Sequence, residues 1–167
     1  MTEFDLKTYL PEDFSDDSRV WIYASDRMFT LSEAFELESM LETFLTSWKS
    51  HGAPVKGYAN LFYGRFIIFM ADETQTQVSG CSTDSSVQCI RDIESKFKVN
   101  MFNRLIVYFL IKNKVEQIPL QQVQYALDNG LINRDTLLFN FQVFTLRELK
   151  ENWIIPIKNS WLNTRIA

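Results

Sequence analysis

The chain switches between short runs of β-forming residues and longer stretches whose apolar positions recur every three or four residues. Residues 19–25 (R-V-W-I-Y-A-S) predict a first strand. Then Ala34, Leu37, Leu41, Phe44, Leu45 and Trp48 put one apolar face on a helix running to about residue 50. Thr30-x-x-Glu33 opens it as a capping box, the hydroxyl accepting from a free amide and the carboxylate reaching back. His51 falls in the last turn, where the helix dipole favours a cation, Gly52 supplies a left-handed stop, and Pro54 prevents continuation.

Residues 55–63 and 65–72 predict two strands separated by Gly64. The second contains Phe66-Ile67-Ile68-Phe69-Met70, apolar without alternation, the pattern of a strand covered on both faces. A polar loop, 73–77, leads to a second helix capped by Ser82, Thr83 or Asp84, with Ser86, Ile90, Ile93 and Phe97 on one face and Val87 and Cys89 beside it. Residues 104–112 predict a fourth strand, and Asn113-Lys114 turns it into 115–118. Pro119 opens a short helix that Asn129-Gly130 closes. Another strand is expected over 137–143, and Thr145-x-x-Glu148 is a second capping box for a helix that Pro156 ends or bends.

The first six elements read strand, helix, strand, strand, helix, strand. That order predicts an α+β fold with a ferredoxin-like (split βαβ) sheet, two helices on one face, and C-terminal strands and helices that extend or cover it. The expected division is an acidic arm, 1–18, and a single domain, 19–167. Within the arm, Phe4, Tyr9, Leu10 and Phe14 are placed to dock on the core. The same topology collects His51, Asp72, Glu73 and residues 79–84 at one sheet edge, and Asp26, Arg27, Arg65 and Arg104 at the other.

Composition narrows the function. A net charge of −4 with scattered basic residues argues against nucleic acid. Two cysteines make neither a disulfide framework nor a metal spacing, so no metal site and no cofactor is expected. No apolar run approaches the ~20 residues of a membrane span. The acidic start lacks a signal peptide's basic and apolar regions, so a cytoplasmic protein is the expectation. Fourteen phenylalanines, six tyrosines and four tryptophans predict a thick aromatic core and a sticky surface patch.

A set of residues runs through these elements: Val20-Trp21-Ile22-Tyr23-x-Ser25-Asp26-Arg27, Trp48 with His51-Gly52, Gly64-Arg65-Phe66-Ile67-Ile68, Ser79-Gly80-Cys81-Ser82-Thr83-Asp84-Ser85-Ser86-Val87, then Arg104 and Tyr108. It resembles a family of small uncharacterised bacterial proteins whose members are often labelled "ABC transporter ATPase". The resemblance spans roughly residues 19–161, and the serine-rich stretch is its most specific part. The label itself does not fit. Such an ATPase needs G-x-x-x-x-G-K-[ST] to cradle phosphates, and none of Gly52, Gly57, Gly64, Gly80 and Gly130 is followed by Lys-Ser or Lys-Thr.

Three places are dense enough in reactive groups to carry chemistry. Cys81, just before a helix start, would have its thiolate favoured by the amide dipoles, and His51 with Asp72 or Asp84 could complete a Cys-His pair. The plainer alternative is a small buried cysteine in a tight turn. Ser79, Gly80, Ser82, Thr83 and Asp84 could hold a phosphate or carboxylate through free amides and hydroxyls, though Asp84 opposes an anion. Asp26, Arg27, Arg65 and Arg104 could grip a carboxylate, or tie strand ends together as a salt-bridge network. The leading expectation is a non-enzymatic binding module for a partner protein or small ligand, with a homo-oligomer among the alternatives. A thiol-dependent enzyme and a small anion-binding domain are the rivals.

Overall fold

The structure, a computed structural model, describes residues 6–167, with the side chain of Cys81 outside the described residues. Phe4 also lies outside them. Contacts divide the chain into two compact units, each mixing helices and strands. The first holds Pro11–Asn103 and Phe144–Arg147. The second holds Arg104–Val143 and Glu148–Ala167, together with residues 6–10. The α+β class is therefore as the pattern predicts. No helix among the described residues is long and apolar enough to cross a membrane.

The first unit runs β1 (Arg19–Ala24), α1 (Leu31–Ser47), β2 (Lys49–Ser50), β3 (Ala53–Pro54), β4 (Lys56–Phe62), β5 (Phe66–Asp72) and α2 (Gly80–Phe97). β5 lies between β1 and β4, antiparallel to both. All seven of its residues are buried, as its unalternated sequence predicts. Ile67 and Phe69 face a core built from Leu37 and Leu41 of α1 and Ile90, Ile93 and Phe97 of α2, so both helices cover one sheet face. The Thr30–Glu33 capping box forms as read. Of the arm, Leu10 is buried, Tyr9 is exposed, and Phe14 meets Tyr58 edge-on at 6.3 Å.

α1 stops earlier than its pattern predicts. It ends at Ser47, and Lys49–Ser50 pairs with Ala53–Pro54 as a miniature hairpin. His51 (φ 49°) and Gly52 (φ 83°) are its two turn residues, a conformation that two-residue hairpins require. Gly52 does supply a left-handed position, but in a hairpin rather than after a helix, and His51 is not in a helix at all.

The split βαβ sheet does not close. Strands from 19–24, 56–62 and 66–72 keep the expected spatial order, but the fourth strand leaves for a second sheet. The outer edge of β1 is partly occupied by the returning segment Phe144–Arg147. Val20 N–H donates to the Phe144 carbonyl (3.0 Å), and Arg19 bridges Thr145. In the second unit, β6 (Ile106–Ile111) turns tightly through Lys112 and Asn113, both at positive φ, into β7 (Lys114–Pro119). After α3 (Val123–Asp128) comes β8 (Leu137–Phe139), then α4 (Leu146–Asn152), whose first two residues count with the first unit, and β9 (Ile154–Pro156), giving a sheet ordered β7-β6-β8-β9. Pro156 thus sits in a strand, since α4 has already ended at Asn152. Val107, Phe109, Leu138, Ile157 and Leu162 form this unit's own core.

Candidate functional site: a groove between two helices beside the capped serine stretch

The serine-rich stretch is the first turn of α2. Ser79, not Ser82, Thr83 or Asp84, is the N-cap. Its N–H donates to Ser82 Oγ (2.7 Å), Ser82 N–H donates back to Ser79 Oγ (3.3 Å), and Ser82 Oγ donates to the Ser79 carbonyl (2.8 Å). Thr83 Oγ1 donates to that carbonyl as well (3.1 Å). A serine at the third helical position replaces the usual glutamate of a capping box, which is why the start lies a turn earlier than the acidic residue suggests. The hydroxyls proposed for an anion are thereby engaged within the turn. Asp84 is exposed, and a Cβ added at Gly80 would meet nothing within 4 Å.

Trp48 ties this turn to α1. Its indole N–H donates to the Ser82 carbonyl at 2.8 Å, across 34 residues of chain. The ring packs against Phe44 (5.1 Å), Trp21 (6.0 Å) and Phe69 (6.3 Å). Gly57 lies directly against it: a Cβ there would stand 2.6 Å from Trp48 Cε3.

The remaining candidates are placed separately. Asp72 is 3% exposed, and its carboxylate accepts from the Ser15 amide (3.0 Å) and the Thr74 amide (3.0 Å), with Lys56 Nζ at 3.7 Å. The Ser15 bond foremost, helped by Thr74 and the Lys56 charge against the opposing effect of burial, lowers its pKa from 3.8 to about 2. His51 is exposed in its hairpin turn and makes no hydrogen bond or ion pair among the described residues. The structure therefore does not bring His51 and Asp72 together as a pair, and the Cys81 side chain is outside the described residues.

Because Asp72 titrates lower folded than unfolded, its contribution to stability is complete above about pH 4 and is lost as pH falls through about 2. Urea unfolding between about pH 5 and pH 2 should show the wild-type losing stability over that interval, and Asp72→Asn losing less of it. Parallel curves for the two proteins would contradict this assignment.

At the other end of this sheet, Arg27 makes a two-pronged bond to Glu33 (2.8 and 2.8 Å) and donates to the Phe97 carbonyl (2.6 Å). Glu33, read above only as a cap residue, is the acid of this cluster. The Arg27 bond, then the Thr30 amide, lower its pKa to about 2. Asp26 accepts from the Asn100 amide (3.0 Å), and the Arg65 carbonyl accepts from Ser25 N–H (3.0 Å). Arg104 belongs to the second unit. Among the described residues, no group of three or more His, Cys, Asp or Glu could hold a metal.

A groove of about 680 Å³ lies between α1 and α2, a place that no sequence motif marks. Met40, Phe44 and Trp48 give it apolar contact surface on the α1 side, and Cys89 does so from α2. Ser39, Thr43 and Ser47 stand along one helix, and Ser85, Gln88, Asp92 and Lys96 along the other. Lys96 Nζ reaches Glu36 Oε2 (3.2 Å), and Gln88 Nε2 donates to Asp92 Oδ1 (2.9 Å). Burial first, and the Asp92 charge second, push the Cys89 thiol up to about 11, so it is neutral at pH 7 and serves as wall.

No protein-family model, no curated protein and no solved structure matches the chain.

The groove was legible only indirectly. Phe44 and Trp48 read as core-facing, but Met40 beside them widens the apolar surface of α1 beyond one stripe, leaving Met40 and Phe44 half-buried while Trp48 is buried. Gln88, Asp92 and Lys96 recur at helical spacing along α2, and nothing in that spacing marks a groove wall.

Proposed function

We propose that this chain is a non-enzymatic binding module that takes a small ligand in the groove between α1 and α2. The groove carries the reading: its volume of about 680 Å³ falls in the ~300–1,000 Å³ typical of small-molecule sites. An apolar body fits against Met40, Phe44 and Trp48. Two carboxylates, Glu36 and Asp92, line the groove against the one ammonium of Lys96, so the ligand's polar end is a hydrogen-bond donor, an amine above all. The anion-binding alternative belongs to the 79–84 turn, whose Ser79, Ser82 and Thr83 hydroxyls bond within the turn itself, and this ranks the small-amine reading above it.

Membership of the bacterial family that the Ser79–Val87 stretch resembles is part of this proposal, without the family's ATPase label. A cytoplasmic setting fits the free thiol of Cys89. A homo-oligomer is not needed to complete the groove.

Phenethylamine and 3-phenylpropionate are suitable probes, titrated into ¹⁵N-labelled protein. The amine is expected to shift amides of residues 40–48 and 85–96 and to raise the melting temperature as its concentration passes its Kd. Thr43→Trp, at an exposed position on the groove wall, should abolish both effects. Equal binding of the acid, or amine binding that survives Thr43→Trp, would refute the reading.

A further inference from the structure

We propose that the outer edge of β4 is a docking site for an extended segment of a partner protein, one that carries an apolar residue followed at two-residue spacing by Lys or Arg. This site is separate from the groove, and either can fail without the other.

The hydrogen-bonding sides of β4 are settled by its two ends. Arg65 N–H donates to the Phe62 carbonyl, so Phe62 faces β5, as do its alternates Asn60, Tyr58 and Lys56. The amides and carbonyls of Gly57, Ala59 and Leu61 therefore point away from the sheet. At one end this outer side is closed, because Val55 N–H donates to the Trp48 carbonyl (3.0 Å). From Gly57 to Leu61 no strand among the described residues pairs with it. Leu61 N–H is met by the Asn60 side-chain oxygen (2.8 Å), a local bond that an incoming carbonyl can displace. An edge of this kind accepts an added strand, whose main chain supplies affinity and whose alternate side chains supply specificity.

The side-chain face beside that edge states the partner's chemistry. A cleft of about 220 Å³ lies between α1 and β4, lined by Phe35, Glu38, Leu41 and Leu61 among others. Its size suits one or two side chains rather than a whole ligand. Along α1 the stripe Leu31, Phe35, Glu38, Glu42 runs from apolar to acidic. Leu31 and Phe35 are 75% and 63% exposed, large apolar side chains with no cover. Glu38 and Glu42 enter no ion pair among the described residues. They stand one helical turn apart, ~6 Å, close to the ~6.7 Å between alternate residues of a strand. α1 and β4 run in opposite directions, since Met28 approaches Gly64 while Leu45 and Trp48 approach Gly57. The partner's apolar side chain thus sits at the Leu61 end and its cations toward Gly57. Lys56, next to Gly57 in the chain, is committed to Asp72 and Asp13 and does not neutralise the stripe.

The test uses two synthetic peptides. One alternates threonine with valine, leucine and two lysines, and the other carries glutamates in place of the lysines. Titrated into ¹⁵N-labelled protein, the lysine peptide should shift the amides of Gly57, Ala59 and Leu61 and slow their hydrogen exchange. Glu38→Lys with Glu42→Lys should weaken it by about tenfold and reverse the preference between peptides. Ala59→Pro removes the central outward N–H, a change edge strands tolerate, and should abolish binding while leaving α2 resonances in place. If that variant does not fold, the charge reversal still decides. Equal affinity for both peptides, shifts confined to the α1–α2 groove, or the same edge amides shifting with protein concentration alone would each overturn the proposal, the last because a second copy would then occupy the edge.

Discussion

Trp48→Ala should cost about 3–5 kcal/mol of stability, read as a lower urea midpoint at unchanged slope. Trp48 is 2% exposed and is the C-cap residue of α1, where the chain leaves the helix in an extended conformation. Its ring fills the space between α1, β5 and the first turn of α2, touching Phe44 and Phe69. Removing it leaves a cavity that the sheet, fixed by its hydrogen bonds, cannot collapse into. It also leaves the Ser82 carbonyl without the indole donor. Trp48→Phe separates the two contributions, since it keeps an aromatic ring in the site, loses part of the packing and removes the donor altogether. It should cost nearer 1 kcal/mol from the hydrogen bond, plus a smaller packing loss. A Trp48→Ala protein within about 1 kcal/mol of wild-type would mean that α2 is held without this bridge.

Gly57→Ala should be destabilising by about 3 kcal/mol, the upper end of what overpacking by one methyl group costs. The added Cβ would meet Trp48 Cε3 at 2.6 Å, Cζ3 at 2.9 Å and Leu45 Cδ2 at 3.1 Å. Trp48 is held in place, because its indole N–H is bonded to Ser82 and its ring packs on Phe44. The two substitutions should not add. In a Trp48→Phe background the smaller ring gives the new methyl group room, so Gly57→Ala should cost less there, with a coupling energy of about 1 kcal/mol or more. Simple additivity in the double-mutant cycle would refute this contact as the reason for the glycine. Strand position alone already disfavours Gly relative to Ala, so a large loss in that direction has no propensity explanation.

These two residues also mark the boundary between what was readable in the chain and what was not. The Thr30–Glu33 box, the double-faced burial of β5 and the break at Gly64 were readable, because each depends on residues within about four positions or on a simple burial period. The two-residue hairpin at His51-Gly52 reads from the sequence as a helix end, since a left-handed glycine serves both. What separates the cases is Trp48, which leaves α1 to reach a carbonyl 34 residues away. The start of α2 lies earlier than the sequence predicts for a similar reason. Ser79, Ser82, Thr83 and Asp84 are all competent caps, and the choice rests on the reciprocal Ser79–Ser82 bonds together with that same indole.

Local hydrogen-bond chemistry and hydrophobic period are written in neighbouring residues, so the chain alone specifies its helices, its central strand and its α+β character. Which surfaces meet is a different matter. β6 pairs with β7 and β8 rather than with β1, whose outer edge is met in part by residues more than a hundred positions later, and neither event has a local signal. The groove between α1 and α2 and the open edge of β4 are likewise spaces left between elements. Their linings come from side chains that read individually as core, cap or solvated face, and only the packing of two helices on one sheet turns them into places where something can bind.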